Sequence, residues 1–377
     1  LAARQDDGLD AGSLFGPRER AKIASHSPLP PPPPDPTNRW ADDPAAALFG
    51  QRVFFDARLS ANGEVSCATC HDPEQAFTDG RPLGAGLADL DRHTPTILNA
   101  AHQRWFFHDG RADTLWAQAV QPFENPREMG TNRVRLLRVI AGDELLRAEY
   151  EALFGPLPEL DDGGRFPPDA RPVPDEPRHP EAVAWAAMAT ADRAAVDRAF
   201  VNVAKAVAAY ERLLVGGTSP FDRFAEGLAQ GDPEKLAALD ESAQRGLALF
   251  LGKGGCRLCH SGPAFSDGEF HDLGIAPRGG GQRTDSGRHG GVQQLLRDPF
   301  NALSEHSDAR EGEPRDKLEF LSRGPELWGQ FKTPSLRNVG RTPPYMHAGQ
   351  FATLRDVLHF YSTLEGAAPA GHHQETT

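Results

Sequence analysis

All four cysteines of this 377-residue chain fall in two copies of one pattern, Cys-x-x-Cys-His. Cys67, Cys70 and His71 form the first copy, in SCATCHDPEQAF, and Cys256, Cys259 and His260 the second. No thiol is left for a disulfide. Two Cys pairs could hold a tetrahedral zinc ion, but zinc does not require a His directly after each pair. Covalent haem c does: the thiols add to the porphyrin vinyl groups and the adjacent imidazole becomes the proximal iron ligand. The pattern therefore predicts two covalently bound haem c groups, with His71 and His260 as proximal ligands. Haem attachment of this kind normally happens outside the cytoplasm, so the expected location is periplasmic or otherwise exported. The chain begins LAARQDDG, without a basic-apolar-small signal pattern, and reads as a mature or trimmed form.

A formal charge of -13 argues against nucleic acid as a partner, because phosphate binding needs a basic footprint. Excess acid is compatible with a basic protein partner, although it is commonly a solvated surface. No stretch approaches the roughly 20 apolar residues of a membrane span.

The local signals are mostly helical. Asp43-Pro44 is a cap followed by Pro in the first turn and opens DPAAALFGQRVFF. Residues 182–215, rich in Ala with helically spaced apolar positions, predict one or two helices, and Asp240 caps DESAQRGLALFLG. Residues 29–38, LPPPPPDPTN, must be extended, and a second Pro/Gly-rich stretch, 155–180, reads as a surface excursion. Strand signals are weak.

An internal repeat organises the chain. Thr94-Pro95-Thr96-Ile97-Leu98-Asn99 returns as Thr333-Pro334-Ser335-Leu336-Arg337-Asn338, and His108-Asp109-Gly110 with Thr114-Leu115 returns as His347-Ala348-Gly349 with Thr353-Leu354. Both pairs keep one offset. The expected fold is mainly α: two cytochrome c-like haem domains related by internal duplication, with long irregular loops. The boundaries predicted are 1–42 for an extended Pro-rich arm, 43–232 for an N-terminal peroxidatic domain and 233–377 for a C-terminal electron-transfer domain. Residues 276–326 form an insertion expected at the surface. Its GRHGG segment is expected to open no helix, and so to be no phosphate loop.

These motifs together resemble the bacterial di-haem cytochrome c peroxidase and MauG superfamily. The resemblance rests on RHTPTILNA, HDGRADTLWAQAVQPFENPREMG, the two haem motifs and KTPSLRNVGRTPPYMHAGQFATL, and runs from about Asp43 to Tyr361. It implies that Glu128, in the NPREM element, faces the open side of the first haem, with Gln118 lining the same space. A carboxylate there can move a proton between the two oxygens of peroxide so that water leaves. Taken alone, Glu128 would read as a solvated loop acid.

Relatives that need reductive activation carry a blocking His in the loop after the first haem motif. Here no His or Met lies between His71 and His93, so the first haem is expected to be five-coordinate and open, with His93 as the rival ligand. At the second haem, the position that is Met in the peroxidases and Tyr in MauG is Tyr361. Met346 is the alternative ligand on general grounds. A tyrosinate oxygen lowers the potential of its iron. The Trp that commonly stands between the haems is replaced by His108, leaving His108 or Trp105 as the candidate electron relay, with loop-structuring the plain alternative for His108. The carbonyls of Thr342 and Pro344 stand where relatives bind calcium, but the Asn that helps them is His93 here. Relatives also continue beyond HHQETT, so the C-terminus reads as incomplete.

The function expected from this resemblance is reaction of hydrogen peroxide at the first haem and oxidation of Trp or Tyr side chains of a partner protein. One alternative is a peroxidase drawing electrons from a small cytochrome or cupredoxin. The other is a non-catalytic di-haem electron carrier.

Overall fold

In the computed structural model, residues 14–278 and 285–368 are described; the LAARQDDG start and the HHQETT end lie outside them. The architecture is mainly helical, and the described residues pair as strands only at Phe270–His271 with Phe331–Lys332. The chain clusters into two compact units, each assembled from separate segments: Leu1–Pro33, Gly216–Glu269 and Thr333–Val339 in one, Pro34–Val215, Phe270–Lys332 and Gly340–Thr377 in the other.

The larger unit is built around the helix Thr190–Glu211, almost entirely buried in its second half. It crosses the helix Pro44–Phe55, which starts where predicted: Asp43 accepts hydrogen bonds from the amides of Ala45 and Ala46. Small residues allow the crossing. A methyl group on Gly50 would sit 1.9 Å from the carbonyl oxygen of Ala206, so the two backbones touch there. Around this contact pack Phe49, Val53, Trp116, Phe123 and Phe200, all fully buried. The Ala-rich stretch forms two helices, Pro180–Ala187 and Thr190–Glu211.

One surface expectation changes. Pro30, Pro31, Pro33 and Pro34 are exposed, and only Thr37 and Asn38, at the end of the Pro-rich run, are buried. The Asn38 side chain donates to the Lys205 carbonyl, and the indole of Trp116 donates to the Thr37 hydroxyl. The GRHGG segment does open a helix, Arg288–Arg297, which buries Val292 and Leu295. Its start is held because Arg288, also buried, donates to the Gly110 carbonyl at 2.7 Å. A charged side chain capping a distant turn left no local trace in the sequence.

The smaller unit packs the helices Pro17–Ala24, Pro220–Gln230 and Glu241–Leu251 around Phe15, Ile23, Phe224 and Leu251. Asp240 caps the last of these through the Ala243 amide. The segment Thr333–Val339 joins this unit through Arg337, whose buried guanidinium bonds both carboxylate oxygens of Asp222 at 2.6 and 3.0 Å.

Candidate haem centres

The first haem motif is one helical turn, Cys67–Cys70, started by a capping box between Ser66 and Thr69. The amide of His71 bonds the Cys67 carbonyl at 2.9 Å, which closes the turn and projects the imidazole. Its Nδ1 lies 3.1 Å from the carbonyl oxygen of Phe77. A carbonyl only accepts, so Nδ1 carries the proton and Nε2 keeps its lone pair for a metal. Phe77 and Ala76 aim that carbonyl from left-handed backbone, φ 59° and 55°, and Thr96 holds Ala76 with a 2.6 Å hydrogen bond to its carbonyl.

The second motif is built the same way. His260 bonds the Cys256 carbonyl at 2.9 Å, its Nδ1 faces the Phe265 carbonyl at 2.9 Å, and Phe265 has φ 51°. Ser335 bonds the Ala264 carbonyl at 2.6 Å, as Thr96 bonds that of Ala76. Asn99 and Asn338 have φ 61° and 62°, and Thr114 and Thr353 each cap the helix that follows. The elements that repeat in sequence thus repeat in local geometry.

Beyond the first motif, the helix Leu115–Glu124 carries Gln118, half-buried, and contains Pro122, whose missing N–H leaves the Gln118 carbonyl without its intrahelical donor. The NPREM residues follow as a tight turn in which the amides of Glu128 and Gly130 both reach the Asn125 carbonyl. Asn125 also donates from Nδ2 to Oε2 of Glu128 at 2.8 Å. Burial pushes the Glu128 carboxyl above its usual range, against the pull of Arg111, Asn125 and Arg127. Burial raises the Cys67 and Cys70 thiols, and the charge of Glu128 adds to the effect on both.

Glu211 drew no notice in the sequence, where an acid ending an Ala-rich helix reads as solvated. It is 4% exposed, Oε2 has no hydrogen-bond partner, and burial lifts its carboxyl to about 8. Its charge acts on Cys67. An orphaned polar atom beside the thiol, the fixed imidazole tautomers and unbridged cysteines all fit a covalently attached haem at this motif.

Tyr361 lies on the helix Leu354–Thr363, at the position Pro122 occupies in the helix Leu115–Glu124. Leu354, Leu358 and Tyr361 share one face and are 38%, 61% and 46% exposed, an apolar helix surface carrying a single phenol. His108 is half-buried and held neutral, its basicity lowered to about 3 by desolvation, and its Nε2 donates to the His93 carbonyl at 2.9 Å. His93 donates from Nδ1 to the Arg81 carbonyl and lies close enough to lower the basicity of His71. Trp105 is buried between two cations, 4.2 Å from the Arg288 guanidinium and 5.0 Å from the Lys317 ammonium. Thr342 is buried and Pro344 half-buried in the loop before the Leu354–Thr363 helix; Met346 has φ 70° in the same loop.

A mainly helical chain with two Cys-x-x-Cys-His motifs, each imidazole oriented by a carbonyl, defines a di-haem c-type cytochrome. The profile of the di-haem cytochrome c peroxidase family matches residues 44–230. The methylamine utilization protein MauG of Methylorubrum extorquens is 33% identical over 323 residues, covering 84% of this chain and 69% of that protein. The cytochrome-c peroxidase IdrP1 of Pseudomonas sp. strain SCT is 31% identical over 355 residues, 89% of this chain and 77% of that protein. The diheme peroxidase BthA of Burkholderia thailandensis shares the fold, with TM-score 0.61 and 24% identity over 90% of this chain and 73% of that one. The chain belongs to the di-haem cytochrome c peroxidase and MauG family, and is a haem peroxidase-type oxidoreductase.

Proposed function

We propose that this protein, exported to the periplasm, reacts with hydrogen peroxide at the haem held by Cys67, Cys70 and His71 and oxidises Trp or Tyr side chains of a partner protein at long range. When bound, haem supplies the oxidising chemistry; the rest is the work of side chains. His71 presents Nε2 because its Nδ1–H donates to the Phe77 carbonyl. Glu128, partly dehydrated and steadied by Asn125, accepts and returns a proton at Oε1 or Oε2. Gln118 orients peroxide from the preceding helix.

The observation that carries this reading is the seat of Glu128 against Gly86 and Leu87, next to the Ala85 carbonyl that lies 3.5 Å from Cys70 Sγ, with a His-free and Met-free loop following the motif. Tyr361, as sixth ligand of the second haem, favours partner oxidation over uptake of electrons from a cytochrome. Trp105 is a poor station for a positive hole, since Arg288 and Lys317 both oppose removing an electron from it.

The alternative, a cytochrome c-dependent peroxidase, draws on relatives that carry that name. Spectroscopy of the ferric protein followed by peroxide addition separates the two. One high-spin and one low-spin haem, then an oxidised state that persists with reduced cytochrome c present, support the proposal. Rapid turnover of cytochrome c supports the alternative, and two low-spin haems would exclude the proposal.

A further inference from the structure

Resting on the reading of Glu128 as the proton-handling group, we propose that the loop 84–92 sets the position of its carboxylate, with Gly86 as the positioning residue. The loop follows the first haem motif and touches both the haem anchor and the acid. Cys70 Sγ reaches the Ala85 carbonyl at 3.5 Å. Two residues on, the Leu87 amide bonds the Glu128 carbonyl, and the Ala88 amide bonds the Arg127 carbonyl, each at 3.0 Å. A short stretch of backbone therefore lies between the sulfur of Cys70 and Glu128, a proximity that does not depend on the thiol proton.

Gly86 sits at the closest approach. A Cβ there would meet the Glu128 carbonyl oxygen at 2.5 Å, its Cα at 2.7 Å and the Arg127 carbonyl oxygen at 2.9 Å. All three are backbone atoms of the NPREM turn, so no side chain can swing away. Gly86 is not in left-handed backbone, and its lack of a Cβ serves proximity rather than turn geometry. The contact is fastened at its rim: Arg127 bonds Asp91 at 2.8 Å and also the Asp89 carbonyl. The loop itself is closed by Gly84 and Leu90, with the Gly84 amide on the Arg92 carbonyl at 2.9 Å and the Leu90 amide on the Gly84 carbonyl at 2.7 Å. From the other side, the Ala61 amide holds the Met129 carbonyl at 2.8 Å.

A loop seated this way fixes how far the Glu128 carboxylate stands from the thiols and how much water reaches it. Both quantities govern proton transfer, through distance and through the dehydration that raises its pKa.

The test uses the full-length holoprotein carrying Gly86→Ala, with haem content matched by Soret absorbance and the reaction with hydrogen peroxide followed by stopped flow across pH. Forcing the turn back by about 1 Å should lower the second-order rate constant about tenfold or more. It should also move the acid limb of the pH profile to lower pH, because water gains access to the carboxylate. An unchanged rate and profile would overturn the proposal, as would a loss of thermal stability with the profile unmoved. Asp91→Ala loosens the rim at an exposed position that does not threaten folding, and should shift the profile the same way by less; no shift counts against the proposal. Gly142→Ala, where a new methyl meets nothing within 4 Å, is the control. Glu128→Gln separates the two layers: if it reacts at the wild-type rate, the proton-handling reading falls. If it is slow while Gly86→Ala and Asp91→Ala are normal, only the positioning inference falls.

Discussion

Asn125 Nδ2 donates a 2.8 Å hydrogen bond to Oε2 of Glu128, three residues on in the same turn. That bond favours the ionised carboxylate, while burial favours the protonated one, and burial prevails. The carboxylate form is the proton acceptor, so the peroxide reaction should fall as pH drops through the raised pKa. Asn125→Ala removes the opposing bond and should move that acid limb up by about one pH unit. A pH profile of the peroxide rate constant checks it; a limb moving down would contradict the assignment.

Tyr361→Phe removes the phenol oxygen and leaves the ring. With Tyr361 half-exposed on its helix, folding should change by under about 0.5 kcal/mol before haem is considered. The low-spin spectrum should change, toward high spin or toward a new ligand such as Met346. An identical low-spin signal in electron paramagnetic resonance would remove Tyr361 from the iron.

Lys205 is buried on the helix Thr190–Glu211, its ammonium 2.6 Å from Asp308 and 2.7 Å from the His306 carbonyl. Asp308→Ala leaves that charge without its counterion and should cost about 3 kcal/mol in urea unfolding. Lys205→Met in the same background should recover part of the loss, because the buried charge is then gone.

Asp113 is 2% exposed, and burial lifts its carboxyl to about 6, against the attraction of Lys317. The folded state therefore holds this proton more tightly than the unfolded chain does. Stability from this group is fully present below the unfolded value near 4 and is lost as pH rises through 6, a change on the order of 3 kcal/mol. Asp298, also raised to about 6, acts in the same direction. Asp113→Asn should flatten the melting temperature between pH 4 and 6; an unaltered slope there would assign the dependence to other groups.

The sequence by itself determined whatever depends on neighbours along the chain. Cys67, Cys70 and His71 announce haem attachment because the reaction needs that spacing, and Asp43, Asp240 and Thr353 start helices because a cap reaches only two or three residues ahead. The NPREM motif pointed to Glu128. What tertiary structure alone decided is where main-chain atoms meet side chains or other main chain from far away. Thr37 and Asn38, at the end of the Pro-rich run, became interior because Trp116 and Lys205 receive them, and the start of the GRHGG helix is tied to Gly110 through Arg288. Glu211 lost its solvent to packing at the end of a central helix. The seat of Glu128 against Gly86, Leu87 and Ala88 is carried by amides and carbonyls, which every residue type possesses, so no pattern of side chains could disclose it.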